Sequence, residues 1–107
     1  MALRLKAARP NTLKEFEEYY PEVFHRYVGL RDACDGFGPL DTKTQELIKI
    51  GIEVARKGHG GLIAHIDRAR EAGATTKEIY HAMVLALPLV GLPDLLDAFR
   101  AAQERLE

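Results

Sequence analysis

Two residues in the middle of the chain have the side-chain types that acid/base chemistry needs. Glu46 falls within a stretch rich in apolar residues, where burying an unpaired carboxylate is costly. His65 flanks the apolar side of the next predicted helix, and imidazole exchanges protons near neutral pH. Glu46 and His65 are therefore the candidates for acid/base residues in this chain, and His59 is a weaker candidate for an additional donor.

Each of these residues also has an ordinary structural explanation. A lone histidine on an apolar helix face is commonly a core residue bonded to a backbone carbonyl. Glu46 also fits a subunit contact or a solvated position, and His59 and His81 fit surface or interface positions. Along two antiparallel helices Glu46 lies about three turns, roughly 18 Å, before Gly58, whereas His65 lies only about one turn after the glycine cluster 58–61. The sequence alone therefore leaves a direct contact between them open.

Other kinds of catalytic centre lack their motifs. There is no H-E-x-x-H or comparable metal-ligand spacing and no G-x-S-x-G nucleophile elbow. The glycine cluster 58–61 follows a predicted helix and not a strand, which argues against a phosphate cradle. Cys34 is the only cysteine, so an internal disulfide and a multi-cysteine zinc site are excluded, and we expect it to pack as a small apolar side chain. The sequence predicts neither a metal nor a cofactor.

Helical periodicity runs through the chain, and no segment shows strand alternation. Pro21 suits the first turn of a helix, Asp41 is an N-cap, and Thr75 with Glu78 forms a capping box. The segment 58–61 is a glycine-rich break between two helices. The fold class predicted is all-α, with six helices over residues 11–20, 21–34, 41–57, 62–72, 76–87 and 94–106.

Two of these helices carry more apolar surface than one core needs. Helix 41–57 has two adjacent apolar rows instead of one stripe. Helix 76–87 is apolar on nearly all sides after His81, so it must be central or covered by another subunit. This pattern argues against a lone monomer.

Length and composition place the chain among ordinary globular proteins. It has 107 residues, 47% hydrophobic and 29% charged, with no linker, so one domain is expected. The net charge of -1 lacks the basic surplus of a nucleic-acid binder. The longest apolar run, 82–90, is too short to cross a membrane, and residues 1–9 lack the apolar segment of a signal peptide. With a single cysteine, the expected location is the cytoplasm.

Three segments resemble the core of the carboxymuconolactone decarboxylase/alkylhydroperoxidase D-like family. They are 38–50, 62–65 and 70–79, with further similarity in the flanks 21–24 and 91–94. The family pattern is a Glu, then Cys-x-x-Cys twelve residues on, then a His four residues after the second Cys. Four residues fall at those spacings, and they are Glu46, Gly58, Gly61 and His65.

The resemblance covers most of residues 16–105 and implies a bundle of about six helices spanning a single domain, 1–107. It also implies a homo-oligomer, commonly a trimer or a hexamer, with sites near the helical hairpin. In redox members the two cysteines reduce peroxide while the Glu and the His relay protons. Decarboxylase members need no metal or organic cofactor and act on a carboxylated lactone.

The departure from the family pattern separates three hypotheses. Both cysteine positions are glycine, so no thiolate nucleophile and no resolving thiol stand there. The first hypothesis is a cofactor-free lyase that uses Glu46 and His65 on a small carboxylated or lactone compound. The second is a non-catalytic oligomeric member with a binding or structural role. The third, a peroxidase that uses Cys34 alone, is the one that the sequence favours least.

Overall fold

The structure is a computed structural model that describes residues 11–107, so the prediction for residues 1–9 lies outside it. All regular structure in this range is helical, which confirms the predicted fold class. The predicted six helices are present, and a single-turn helix, α6, is an addition that the sequence did not indicate. The bounds are α1 Thr12–Tyr19, α2 Pro21–Gly36, α3 Thr42–Arg56, α4 His59–Glu71, α5 Thr76–Val84, α6 Leu87–Val90 and α7 Leu92–Leu106.

The chain divides into two compact units. The first ends at Gly38 and contains α1 and α2, neither of which has a buried residue. Its aromatic rings contact one another, with the Phe16 centroid 5.8 Å from that of Tyr20 and 6.4 Å from that of Phe24. The second unit, Pro39–Glu107, contains α3 to α7. One domain over 1–107 stays a prediction.

The second unit has an apolar core to which α3, α4, α5 and α7 contribute. Its apolar residues recur three and four positions apart, so each helix turns one face inward. The buried side chains confirm the inward face predicted for the fourth helix. They are Ile50, Val54, Leu62, Ile66, Ala69, Ala74, Ile79, Met83, Ala86, Leu95, Ala98 and Ala102.

The turn between α3 and α4 is tighter than the sequence predicts. Lys57 adopts the left-handed conformation with φ 59°, and the Gly58 amide donates to the Glu53 carbonyl at 3.0 Å. This is the six-to-one hydrogen bond of a Schellman motif, with lysine at the position that glycine usually takes. Gly58 itself has an ordinary φ of -90°. Backbone conformation is therefore not the reason for a glycine at position 58.

The start predicted for the fourth helix, residue 62, is wrong. α4 begins at His59, so Gly60 and Gly61 lie in its first turn and the turn itself contains only two residues. At about 1.5 Å per residue, Glu46 lies about 15 Å before the end of α3 and His65 about 9 Å into α4. The remaining axial offset of about 6 Å is small enough for the two side chains to span.

Two further expectations need correction, one about a side chain and one about the end of a helix. Cys34 was expected to pack as a small apolar residue, but it is exposed on α2. The fifth helix ends at Val84 instead of residue 87, because the chain restarts as α6 before Pro88. A proline fits the first turn of a helix and disrupts its interior.

The predicted capping box at the start of α5 is present. The Glu78 amide donates to the Thr75 hydroxyl at 3.0 Å, and the Glu78 carboxylate accepts from the Thr75 amide at 2.9 Å. The Lys43 ammonium lies 3.1 Å from the same carboxylate and so ties α3 to α5. The Thr75 amide and then Lys43 hold the pKa of Glu78 below its ordinary value of 4.5.

A lowered folded-state pKa predicts how stability depends on pH. The contribution of Glu78 is complete above its ordinary pKa and is lost as the pH falls through the lower folded-state value. Glu78→Gln should therefore be less stable than the parent at pH 7, and the difference should shrink towards pH 3. Urea unfolding at both pH values measures this. The exposed Glu104→Gln serves as control, and an equal gap for Glu78→Gln at both pH values would contradict the assignment.

Candidate active site

Glu46 and His65 meet in the structure. The Oε1 atom of Glu46 lies 2.6 Å from Nδ1 of His65, a short and charge-assisted hydrogen-bond distance. Only 5% of the Glu46 side chain and 16% of the His65 side chain are exposed. The two predicted residues thus contact each other between α3 and α4. A mainly buried carboxylate with a single strong partner is typical of a functional arrangement and also of a structural one.

Glu53 is a third member of this cluster, and it was not among the site residues predicted from the sequence. Its Oε2 atom lies 3.8 Å from Nε2 of His65, and its side chain is 10% exposed. Glu53 follows Glu46 by seven residues, which returns a helix to the same face after two turns. That spacing was the available signal. His65 therefore lies between two carboxylates, one on each ring nitrogen.

The two glycines of the resemblance explain how the Glu53 carboxylate finds room. A Cβ atom at Gly58 would overlap its Oε1 atom, and one at Gly61 would overlap its Oε2 atom and lie 2.6 Å from Cδ. Neither glycine has a positive φ, so both are set by this close approach and not by backbone strain. The carboxylate of Glu53 thus occupies the space into which side chains at positions 58 and 61 would project.

Positive charges flank both carboxylates. Lys49 Nζ lies 3.8 Å from Glu46 Oε2, and Arg56 lies 3.6 Å from Glu53 Oε2. The Arg56 side chain is 68% exposed, so its attraction is screened by solvent. The position of Glu53 over the first turn of α4 also places negative charge at the positive end of that helix. These contacts offset part of the cost of burying two carboxylates on one face of α3.

The hydrogen bond to Glu46 defines the chemistry that the histidine offers. A carboxylate accepts and does not donate, so Nδ1 of His65 carries the proton in this bond. Nε2 is then the nitrogen that gains or gives a proton. Its 3.8 Å separation from Glu53 exceeds a hydrogen-bond length. The arrangement supports proton transfer at Nε2 with an imidazole oriented by Glu46.

The comparisons with known proteins agree with the family indicated by the motif spacing. A sequence model of the carboxymuconolactone decarboxylase family matches residues 21–104. The chain belongs to the carboxymuconolactone decarboxylase family. An uncharacterised protein of Methanocaldococcus jannaschii is 33% identical over 96 residues, which is 89% of this chain and 88% of the relative.

A solved member of the carboxymuconolactone decarboxylase family has the same fold. It is the ligand-free crystal structure of a family protein from Legionella pneumophila, which is 28% identical to this chain. The TM-score is 0.80, and the match covers 89% of this chain and 85% of that one. Membership of this family supports a decarboxylase-like or alkylhydroperoxidase-like protein.

Two further candidate residues, His59 and Cys34, are not members of the carboxylate–histidine cluster. His59 is exposed, and no hydrogen bond or ion pair identified within residues 11–107 joins it to Glu46 or His65. Cys34 belongs to the first unit. Within the described range, no group of three or more His, Cys, Asp or Glu has an arrangement that holds a metal ion. No helix among these residues is long and apolar enough to cross a membrane.

An apolar groove of about 600 Å³ runs along a different face of this family member's second unit. α3, α5 and α6 form its walls, and neither Glu46 nor His65 lines it. Ile48 and Ile52, from the second apolar row predicted on α3, lie along it with about half of their surface exposed. The cluster and the groove are therefore separate features of α3.

The packing of Glu53 against the glycines makes a prediction about stability. Gly61→Ala should be less stable than Gly60→Ala by about 1 kcal/mol, because the new methyl group displaces the carboxylate at the flexible end of Glu53 from its place beside His65. Gly60→Ala is the matched control, since nothing lies within 4 Å of a Cβ there. It should be neutral or stabilising by up to about 1 kcal/mol, as is usual for alanine replacing glycine in a helix. Urea unfolding gives both values.

A second substitution tests the cause of that loss. Glu53→Ala removes the group that the methyl group meets, so the loss in the double variant with Gly61→Ala should be smaller than the sum of the two single losses. Additive losses, or equal effects of alanine at positions 60 and 61, would contradict the close packing of the carboxylate on the glycines.

Proposed function

We propose that this chain is a cofactor-free lyase in which Glu46 and His65 perform acid/base chemistry without a thiol. The observation that carries the proposal is the 2.6 Å bond between Glu46 and Nδ1 of His65, made by two side chains that are mostly buried. This bond orients the imidazole and fixes the nitrogen that exchanges a proton. Of the His65 side chain 16% is exposed, and the proposal requires a small molecule to reach the ring there.

The substrate class is a small carboxylated compound in which the carboxylate adjoins a lactone or similar carbonyl system. When carbon dioxide leaves, the C–C bond breaks and its electron pair passes into the carbonyl system. The His65 imidazolium then gives its Nε2 proton to the carbon that lost carbon dioxide, and the ring regains a proton from solvent. One proton is consumed per turnover, and no metal or organic cofactor takes part. A cytoplasmic location is part of this proposal.

Carbon dioxide release from carboxymuconolactone and related carboxylated lactones tests the proposal. His65→Ala and Glu46→Gln should each lower kcat by about 100-fold or more, which is the usual contribution of a positioned acid/base group. His25→Ala, an exposed histidine of the first unit, is the control and should keep full activity. Unchanged turnover in both His65→Ala and Glu46→Gln would contradict the proposal.

A second candidate is a binding or structural family member without catalysis. The observation that favours it is the position of the groove, which no residue of the carboxylate–histidine cluster lines. In this case the Glu46–His65 bond holds α3 against α4, and ligands or subunits contact only the apolar groove. It predicts no turnover of any carboxylated lactone, together with a loss of stability in Glu46→Gln and His65→Ala.

Peroxide reduction is the candidate with the least support. The family's thiol pair has no counterpart at Gly58 and Gly61, and Cys34 lies in a different unit from the cluster. Peroxide consumption that persists in Cys34→Ser would exclude a reaction through that thiol.

Both main candidates include a homo-oligomer, as a trimer or a hexamer. The apolar groove and the residues around it are the surface proposed for contact between copies. Leu85 and Leu89 are 64% and 88% exposed, and such contiguous apolar surface is unusual on a monomer. Covering the groove with a second copy would remove this surface from water.

Light scattering after gel filtration tests the assembly. The mass should be three or six times the 12.0 kDa of one chain. Leu89→Lys, at the groove, should shift the protein towards smaller species, whereas Gln103→Lys at an exposed site of α7 should not. A mass of one chain at micromolar concentration would contradict the proposal.

A further inference from the structure

We infer that Glu53 is a proton-relay residue and that its carboxylate takes the place of the family's thiol pair beside His65. This inference rests on the proposed function, since it assigns a role within the same site. It follows from where its carboxylate lies with respect to Gly58, Gly61 and the free nitrogen of the histidine.

The first support is geometric. A side chain at position 58 and a side chain at position 61 would both project into the Glu53 carboxylate. Such side chains therefore cannot coexist with Glu53 in this position. The resemblance assigns cysteines to those two positions. Either two thiols or one carboxylate therefore fills the space over the first turn of α4, and this chain has the carboxylate.

The second support is the use of the two nitrogens of His65. Nδ1 is committed to Glu46 at 2.6 Å, whereas Nε2 faces Glu53 at 3.8 Å. That separation leaves Nε2 free to give its proton to a substrate carbon. A rotation of the Glu53 side chain that moves Oε2 by roughly 1 Å then brings it to a hydrogen-bond distance of about 3 Å.

The third support is the limited contact of Glu53 with solvent. Its side chain is 10% exposed and lies beside the exposed guanidinium of Arg56. A carboxyl group in this position contacts both the protein interior and water. It is placed to carry a proton between them.

The number of protons that the relay takes up equals the number that it delivers. His65 loses its Nε2 proton to the carbon from which carbon dioxide has left. The Glu53 carboxylate then takes a proton from solvent and passes it to Nε2, which returns Glu53 to a carboxylate. Glu46 keeps its bond to Nδ1 throughout and changes no covalent bond. Overall one solvent proton enters the product, as the lyase reaction requires.

Nitrogen-15 NMR of the His65 ring tests the contact independently of turnover. Glu53→Gln keeps the shape of the side chain and removes its charge, so the Nε2 resonance should move while Nδ1 keeps its hydrogen-bonded shift. Glu46→Gln should instead move Nδ1, and the exposed Glu104→Gln should move neither. A Nε2 resonance that does not respond to Glu53→Gln would overturn the inference.

Turnover of carboxymuconolactone tests the relay itself. Glu53→Gln should lower kcat by about 100-fold and leave KM within about twofold, because the relay acts after binding. In Glu53→Ala, formate should restore part of the rate, since it fits the space over the two glycines. A purely structural role for Glu53 predicts no rescue by formate.

The outcomes separate the two proposals. Full activity in Glu53→Gln overturns the relay and leaves the lyase proposal intact. If the parent protein turns over none of the carboxylated lactones, the lyase proposal fails. The Nε2 resonance then decides whether Glu53 acts on the histidine at all.

Discussion

The second unit depends on an arrangement that is costly by itself, two carboxylates buried on one face of α3. Glu46 and Glu53 are 4% and 8% exposed, and an isolated buried carboxylate costs several kcal/mol. Different contacts stabilise the two carboxylates. His65 bonds Glu46 directly, while Glu53 lies over two glycines at the start of α4 and beside Arg56. The tight turn at Lys57 brings these partners into place.

The same helix serves two surfaces of different character. The inward face of α3 combines the two carboxylates with core residues such as Ile50 and Val54. The opposite side, with Ile48 and Ile52, lines the apolar groove. A helix with two apolar rows is expected to be covered along both of them. Under the two proposals, the inward face of α3 carries the chemistry and its outward face carries the assembly.

Sequence reasoning reached the fold and half of the cluster for identifiable reasons. Helical periodicity and caps such as Thr75 are local signals, and the structure confirms them. The contact of Glu46 with His65 depended on where α4 begins, and the glycines at its start obscured that point. Glu53 was missed because a glutamate near a helix end resembles a solvated residue. Its sequence signal was the seven-residue spacing from Glu46, and the structure adds that its carboxylate lies where side chains at positions 58 and 61 would project.

The bundle forms in this chain with glycine at the two positions to which the resemblance assigns cysteines. Gly58 and Gly61 make room for the Glu53 carboxylate, and neither adopts a left-handed backbone conformation. A crystal structure of the protein at neutral pH and near-atomic resolution tests this arrangement most directly. It should place the Glu53 carboxylate over both glycines, with His65 between Glu46 and Glu53. A Glu53 side chain turned into solvent, with water above the glycines, would contradict it.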